Sequence, residues 1–269
     1  MSNHLLRSHA PISDDAWAAI DEEARERLVV ALSARRLIDF SGPHGWTYSA
    51  TNLGRTEPIS EAPCDGVHAR RRRLLALAEV RAPFRVSREE LLAADRGAED
   101  IDFDALDQAA RNMAVAENKA VFHGWPQAGF AGITEASPHS VPRTGAFDEY
   151  PSHVAKAVEL LLQSGIAGPY GLALGTGDYT GVVETAEHGG YPLFDHLRQI
   201  LGGPIVWSPG VRGGVVLSQR GGDFRFESGQ DLVVGYDHHD AQDVHLYLEQ
   251  SFSFRVATPE AAAALTPVA

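Results

Sequence analysis

The residues best suited to chemistry lie near the C-terminus, where Tyr236-Asp237-His238-His239-Asp240-Ala241 is followed by His245. Imidazoles flanked by carboxylates are the side chains that bind divalent metals, provided several converge in space. The other nine histidines supply no H-E-x-x-H helix motif, and His188 and His196 are separated by two glycines and a proline that keep them off one helical face. A strand expected at 232–236 and another beginning at Val244 make 237–243 a hairpin connection, where Asp and His suit a polar turn. No metal is therefore expected at His238 and His239.

Three further stretches raise other chemistries. Gly175-Thr176-Gly177-Asp178-Tyr179-Thr180-Gly181 follows a strand but is one residue off the dinucleotide fingerprint, and it lacks the Lys-Ser/Thr of a phosphate loop. It is read as a glycine-rich turn. Cys64 lies in a turn beside Pro63, and no nucleophile elbow or base positions it for catalysis. Arg70-Arg71-Arg72-Arg73 is basic enough for nucleic acid, but the chain carries a formal charge of −13. Such a balance repels polyanions, so the run is read as a solvated face or as pairing with carboxylates of a neighbouring subunit. No catalytic residue is assigned.

The elements that must position these groups follow from periodicity. Ser13 caps a helix whose Trp17, Ile20, Ala24, Leu28 and Leu32 form one apolar stripe. A short strand is expected at 37–40. Residues 47–66 and a strand-like run at 74–86 read as an extended arm. A second long helix spans 104–121, and a Gly/Pro/Ser-rich boundary covers 127–150. A third helix begins at Pro151, a strand covers 172–174, a helix spans about 193–201 and a strand covers 205–207. Short strands then lead to the strictest alternation in the chain, with Val244, Leu246, Leu248, Phe252, Phe254 and Val256 on one face. That pattern predicts a half-buried strand. The tail from Pro259 is expected to be a short helix or a frayed end.

Composition bounds the class. The 269 residues, 44% hydrophobic and 22% charged, suffice for a large core. No apolar run reaches membrane-spanning length, and the N-terminus has no apolar stretch of signal-peptide type. One cysteine permits no intrachain disulfide and no cysteine-based zinc site, which fits a reducing cytoplasm. The residues alone thus indicate an α+β protein with an extended arm and an assembly or binding role.

Taken together, several segments resemble the encapsulin shell proteins, the linocin-type family. They are Ser8-His9-Ala10-Pro11-Ile12-Ser13, Arg35-Arg36-Leu37-Ile38-Asp39, Gly42-Pro43-His44-Gly45-Trp46 and Phe84-Arg85-Val86-Ser87-Arg88-Glu89. Further matches are Gly165-Ile166-Ala167-Gly168-Pro169-Tyr170, His188-Gly189-Gly190-Tyr191-Pro192 and, most distinctive, Arg220-Gly221-Gly222-Asp223-Phe224 followed by Gly229-Gln230-Asp231.

The resemblance implies the fold of tailed-phage (Hong Kong 97-type) major capsid proteins. The N-terminal helix and the start of a peripheral domain would occupy 1–46, an extended loop 47–81 and the rest of the peripheral domain with its long helix 82–132. An axial domain would span 133–222, and the peripheral domain's return strands together with the C-terminus 223–269. It also implies a non-enzymatic subunit that assembles with itself into an icosahedral, cytoplasmic cage. The cage would enclose a peroxidase or ferritin-like enzyme that docks through its C-terminal peptide, with no nucleic acid and no membrane as partner.

By the same resemblance the peptide groove is expected at Leu28, Arg35, Leu37, Ile38, Asp39, Asp231, Leu232 and Val234. The five-fold pore loop is expected at Glu187, His188, Gly189, Gly190 and Tyr191. Some members stack a flavin on a tryptophan, but Glu89 falls at that position here, and a carboxylate does not stack on an isoalloxazine. No cofactor is therefore expected. The alternative implied by the older family name, a secreted bacteriocin-like hydrolase, requires an export signal and a nucleophile–base pair. A viral capsid would have to package a genome against its own acidic charge.

Overall fold

The computed structural model describes residues 4–186 and 190–267. Helix α1 (Asp14–Ala31) starts where the Ser13 hydroxyl accepts the Ala16 N–H at 3.1 Å, and it buries the expected stripe from Trp17 through Leu28. The short strand expected at 37–40 is displaced. A 3₁₀ turn over Ala34–Arg36 occupies the approach, and β1 runs Asp39–Ser41. The arm is a hairpin of β2 (Ala50–Ile59) and β3 (Ala69–Ala76), which pair only with each other. The run expected at 74–86 divides after Ala76, and β4 (Ala78–Ser87) turns back into the body.

Helix α2 (Arg88–Asp95) is capped by Ser87, and α3 (Asp104–His123) extends two residues beyond the expected helix. Along α3, Ala116 faces out, while Glu117 and Asn118 are buried. Residues 127–150 are more ordered than a boundary loop, with α4 (Ile133–Ala136) and β5 (Ser140–Arg143). Next come α5 (Tyr150–Gln163), β6 (Tyr170–Leu174) and α6 (Thr176–Glu184), so the glycine-rich stretch is a helix and not a turn. Two of its three glycines serve packing. A Cβ on Gly175 would lie 2.3 Å from the Val211 carbonyl oxygen, and one on Gly181 would lie 2.1 Å from the Phe147 ring.

Helix α7 (Leu193–Leu201), β7 (Gly202–Trp207) and β8 (Gly214–Ser218) complete the middle of the chain. Strands β9 (Phe224–Ser228), β10 (Val233–His239) and β11 (Asp243–Val256) follow. The tail is neither helix nor frayed: β12 (Ala262–Pro267) is a strand.

Two five-stranded sheets organise the body. In the first, β11 is central. Strand β4 pairs along one edge of it, and β10 and then β9 pair along the other, with β1 parallel to β9. Helices α1 and α3 cover one face and enclose a core that includes Ile20, Leu28, Leu106, Met113, Leu246 and Leu248. The second sheet has the order β5-β12-β8-β6-β7 and packs against α5 and α7. Strands β6 and β8 are buried throughout, as central strands covered on both faces must be.

Two sequence expectations need correction. Strand β11 is buried on both faces from Leu246 to Phe254, not on one. Its second face is covered by distant segments: Thr51 Oγ1 meets Ser253 Oγ at 2.7 Å, and His4 lies 3.4 Å from the buried Glu249 carboxylate. In addition, the last strand of the 223–269 segment does not return with β9–β11. It inserts between β5 and β8 of the second sheet.

Candidate functional site

Between α1 and β10 lies a groove of about 400 Å³. Its floor is apolar: Ala24, Leu28 and Leu32 from α1, Leu232 and Val234 beside them, and Leu248 from β11. Ala24, Leu28 and the C-cap Leu32 recur at four-residue spacing, which places them on one face. The rim is charged. Arg7 grips Asp21 in a two-point contact (3.1 and 2.7 Å) and stacks over Trp17 at 4.0 Å.

Strand β10 lies at the edge of its sheet. The Tyr236 N–H donates outward to the Leu5 carbonyl at 2.9 Å. Antiparallel ladders alternate inward and outward pairs, so Val234, two residues back, also turns its N–H and C=O away from β11. Val234 lines the groove, and the site therefore combines an apolar floor with an unpaired strand edge.

Arg35 closes one end. Its guanidinium donates to Glu117 Oε1 (2.9 Å) and Oε2 (2.7 Å), Asp231 Oδ1 (2.7 Å) and Gln250 Oε1 (2.8 Å), and it sits over the rings of Phe40 and Phe226. Burial works against the charged guanidinium, but Glu117 and Asp231 outweigh it and hold the pKa above the ordinary arginine value. Asp231 also accepts the Leu232 N–H at 2.8 Å, which fixes the chain where it enters β10.

The structure thus gathers Leu28, Arg35, Asp231, Leu232 and Val234 in one place, and it separates Leu37, Ile38 and Asp39 from them. These three line a second, smaller cavity of about 110 Å³ with Arg36, Gln219 and Phe224. Leu37 is buried there, and Asp39 accepts the Gly222 N–H at 2.6 Å. Sequence reasoning missed Asp21, Arg25 and Val29, which form the row beside the Ala24–Leu28 stripe at four-residue spacing. That periodicity was the available signal. Arg7 had none, because its contact with α1 depends on how the N-terminal segment folds back.

The histidine stretch is a hairpin tip narrower than expected. Strand β10 continues to His239, and only residues 240–242 connect to β11. Asp240, Asp243 and His245 bring potential ligand atoms within 4.8 Å of one another, but His238 and His239 do not join them. The three are engaged in closing the turn. Asp240 accepts the N–H groups of Gln242 and Asp243 at 2.8 Å and contacts His245 Nε2 at 3.1 Å, while Asp243 accepts from Arg85. The Asp243 and Gln242 N–H groups, followed by His245, hold the Asp240 carboxyl well below the usual carboxylate range. His238 instead stacks on His245, with ring centroids 4.1 Å apart.

Of the expected pore loop, Glu187, His188 and Gly189 lie outside the described residues. Gly190 adopts φ +82°, and the exposed Tyr191 hydroxyl accepts from Gln199 Nε2 at 2.9 Å. Glu89 is exposed in the first turn of α2.

The family described as "Encapsulating protein for peroxidase" matches residues 2–253. The chain belongs to this encapsulin shell family. It is 45% identical to a type 1 encapsulin shell protein of Rhodospirillum rubrum, over 98% of this chain and 96% of the relative. It is 40% identical to one of Rhodococcus erythropolis, over 97% and 99%. Among solved structures it is similar to the virus-like particle of Pyrococcus furiosus, with TM-score 0.64, 16% identity, and 93% and 98% coverage. It is also similar to a capsid chain of Mycobacterium phage Bobi, with TM-score 0.58, 13% identity, and 100% and 95% coverage. These likenesses establish the expected tailed-phage capsid fold. The hydrolase alternative is not favoured, since these relatives of the encapsulin shell family are named as shell proteins.

Proposed function

We propose that the chain is a non-enzymatic subunit that assembles with copies of itself into a closed shell around a cargo enzyme. In this reading the α1–β10 groove holds the cargo's C-terminal peptide. The observation that carries it is the pairing of an apolar floor with the outward backbone groups of Val234. An extended peptide laid there gains strand hydrogen bonds along one edge and burial of alternate side chains against Leu28 and Leu232. Each groove is shallow and binds weakly, but many identical grooves facing one lumen multiply the retention of an oligomeric cargo. Leu37, Ile38 and Asp39 lie outside this groove, and Asp39 instead accepts the Gly222 N–H of the 220–224 turn.

The β2–β3 hairpin corresponds to the extended loop, the first sheet to the peripheral domain and the second to the axial domain. A peroxidase or ferritin-like cargo and a reducing cytoplasm, where a lone exposed thiol such as Cys64 persists, complete the reading. The test is co-expression with a dye-decolorising peroxidase, with and without its C-terminal peptide, followed by size-exclusion chromatography and electron microscopy. Shells should form in both cases and contain peroxidase only when the peptide is present. Leu232→Thr should leave shells empty, whereas Ile38→Thr should leave them loaded. A subunit that stays monomeric overturns the shell reading, and peptide-dependent loading of Leu232→Thr shells moves the groove elsewhere.

A further inference from the structure

Residues 4–7 wrap round the edge of β10 from one face of its sheet to the other. On the α1 face, Arg7 is clamped to Asp21 and stacks over Trp17. At the edge, the Leu5 carbonyl accepts the Tyr236 N–H at 2.9 Å. On the opposite face, the His4 ring stacks on Trp46 with centroids 3.8 Å apart and lies 3.4 Å from the Glu249 carboxylate. An uncovered strand edge pairs with any extended chain, and native folds cover such edges with stretches of their own chain.

The open part of the edge is therefore short. On one side of Val234 the Leu232 N–H is taken by Asp231 Oδ1 at 2.8 Å, and on the other Leu5 takes the Tyr236 N–H. Between Tyr236 and His238 the register shifts, which breaks the edge again. While Leu5 stays in place, a peptide added to β10 can pair with Val234 alone. The cover is under tension at one residue. Leu6 has φ +51°, the only non-glycine residue with positive φ among the described residues, and L-residues enter that region at a cost. Its side chain is exposed, so packing does little to offset that cost. Leu6 is thus the hinge between the Arg7 clamp and the Leu5 carbonyl.

Resting on the groove reading, we propose that residues 4–6 form an autoinhibitory strap that competes with the cargo peptide for Tyr236. With the strap seated, the peptide pairs with Val234 only and each groove binds weakly. With the strap released, the peptide extends along β10 and replaces the Leu5 carbonyl as acceptor of the Tyr236 N–H. Arg7 stays clamped on α1, so release requires the turn at Leu6 to open and His4 to leave Trp46.

The test co-expresses the full chain with a monomeric fluorescent protein that carries the peroxidase's C-terminal peptide, and counts reporters per purified shell. A monomeric reporter removes avidity, so loading follows the affinity of single grooves. Leu6→Pro forbids positive φ and unseats the strap, whereas Leu6→Gly adopts it without cost. Leu6→Pro should raise loading at least about threefold, the value of one added hydrogen bond, and Leu6→Gly should not raise it. His4→Ala loosens the strap from the opposite face, away from the groove, and should act in the same direction as Leu6→Pro even where the proline variant fails to assemble. Amide hydrogen exchange at Tyr236 gives the second readout. It should quicken in empty Leu6→Pro shells and slow again when they are loaded, while in the natural protein loading leaves it unchanged. Loading of Leu6→Pro and His4→Ala shells no higher than the natural level, or higher loading without renewed protection of Tyr236, overturns the proposal. Natural shells that load the reporter equally without its peptide overturn the groove reading instead, and no strap variant is needed to see it.

Discussion

Arg35 and Asp231 meet at 2.7 Å although 196 residues separate them in the chain. The contact joins the turn after α1 to the residue that leads into β10, and so fixes the width of the groove between those elements. Behind it, Glu117 of α3 takes two more of the guanidinium's hydrogen bonds. One arginine therefore ties three segments together, and most of its donors are already engaged. Its part in the proposed site is to shape the end of the groove rather than to capture a ligand.

Replacing Arg35 by alanine should destabilise the subunit by about 3–5 kcal/mol, because Glu117 is fully buried and would lose its counter-charge. Removing both charges in Arg35→Met/Glu117→Leu should recover most of that loss, since a buried ion pair contributes little net stability over well-packed apolar groups. Urea unfolding of disassembled subunits measures both. Equal losses in the two variants would show that Glu117 is not the cause.

The sequence was legible where one element carries its own signal. The Ser13 cap and the stripe of Trp17, Ile20, Ala24 and Leu28 specify α1, and the alternation from Val244 specifies β11. It was illegible where distant chain decides. Nothing near β11 shows that His4 and Thr51 cover its second face. Ala262-Ala263-Ala264 has helical propensity, yet it pairs as a strand between β5 and β8. Glu117 looks like the wet side of a helix until Arg35, 82 residues away, is seen beside it. Of the groove, Leu28, Arg35, Asp231, Leu232 and Val234 fell within reach of a family resemblance, but the same resemblance added Leu37, Ile38 and Asp39, which the fold places in a separate cavity.

His123 ends α3, where a helix dipole ordinarily favours protonated histidine. Here burial, followed by the charges of Arg212 and Lys119, lowers its pKa. The neutral ring contacts Thr134 Oγ1 through Nδ1 at 3.0 Å and accepts the Arg212 backbone N–H on Nε2, also at 3.0 Å. The unfolded chain therefore binds a proton more readily than the folded one. Stability from this site is complete above about pH 6.5 and falls as pH drops from there toward the folded pKa, by up to about 1.4 kcal/mol per pH unit. In His123→Asn that share of the slope should vanish. Unfolding curves of the two proteins at pH 7.5 and 5.5 test this, and identical slopes would rule out His123 as the source.

The glycines of the 175–181 stretch should behave differently from one another if they belong to a packed helix. Gly177 has open space where a Cβ would go, so Gly177→Ala should be neutral or stabilising by up to about 1 kcal/mol. Gly181 faces the Phe147 ring, and Gly181→Ala should cost about 1–3 kcal/mol as the ring shifts. Gly175→Ala should cost at least as much, because the obstacle is the Val211 backbone carbonyl, which yields less easily than a side chain. A phosphate-cradling loop would instead be equally sensitive at all three positions. Thermal unfolding of the three variants separates the two cases, and a Gly177→Ala protein as unstable as Gly181→Ala would refute the helical packing assigned to this segment.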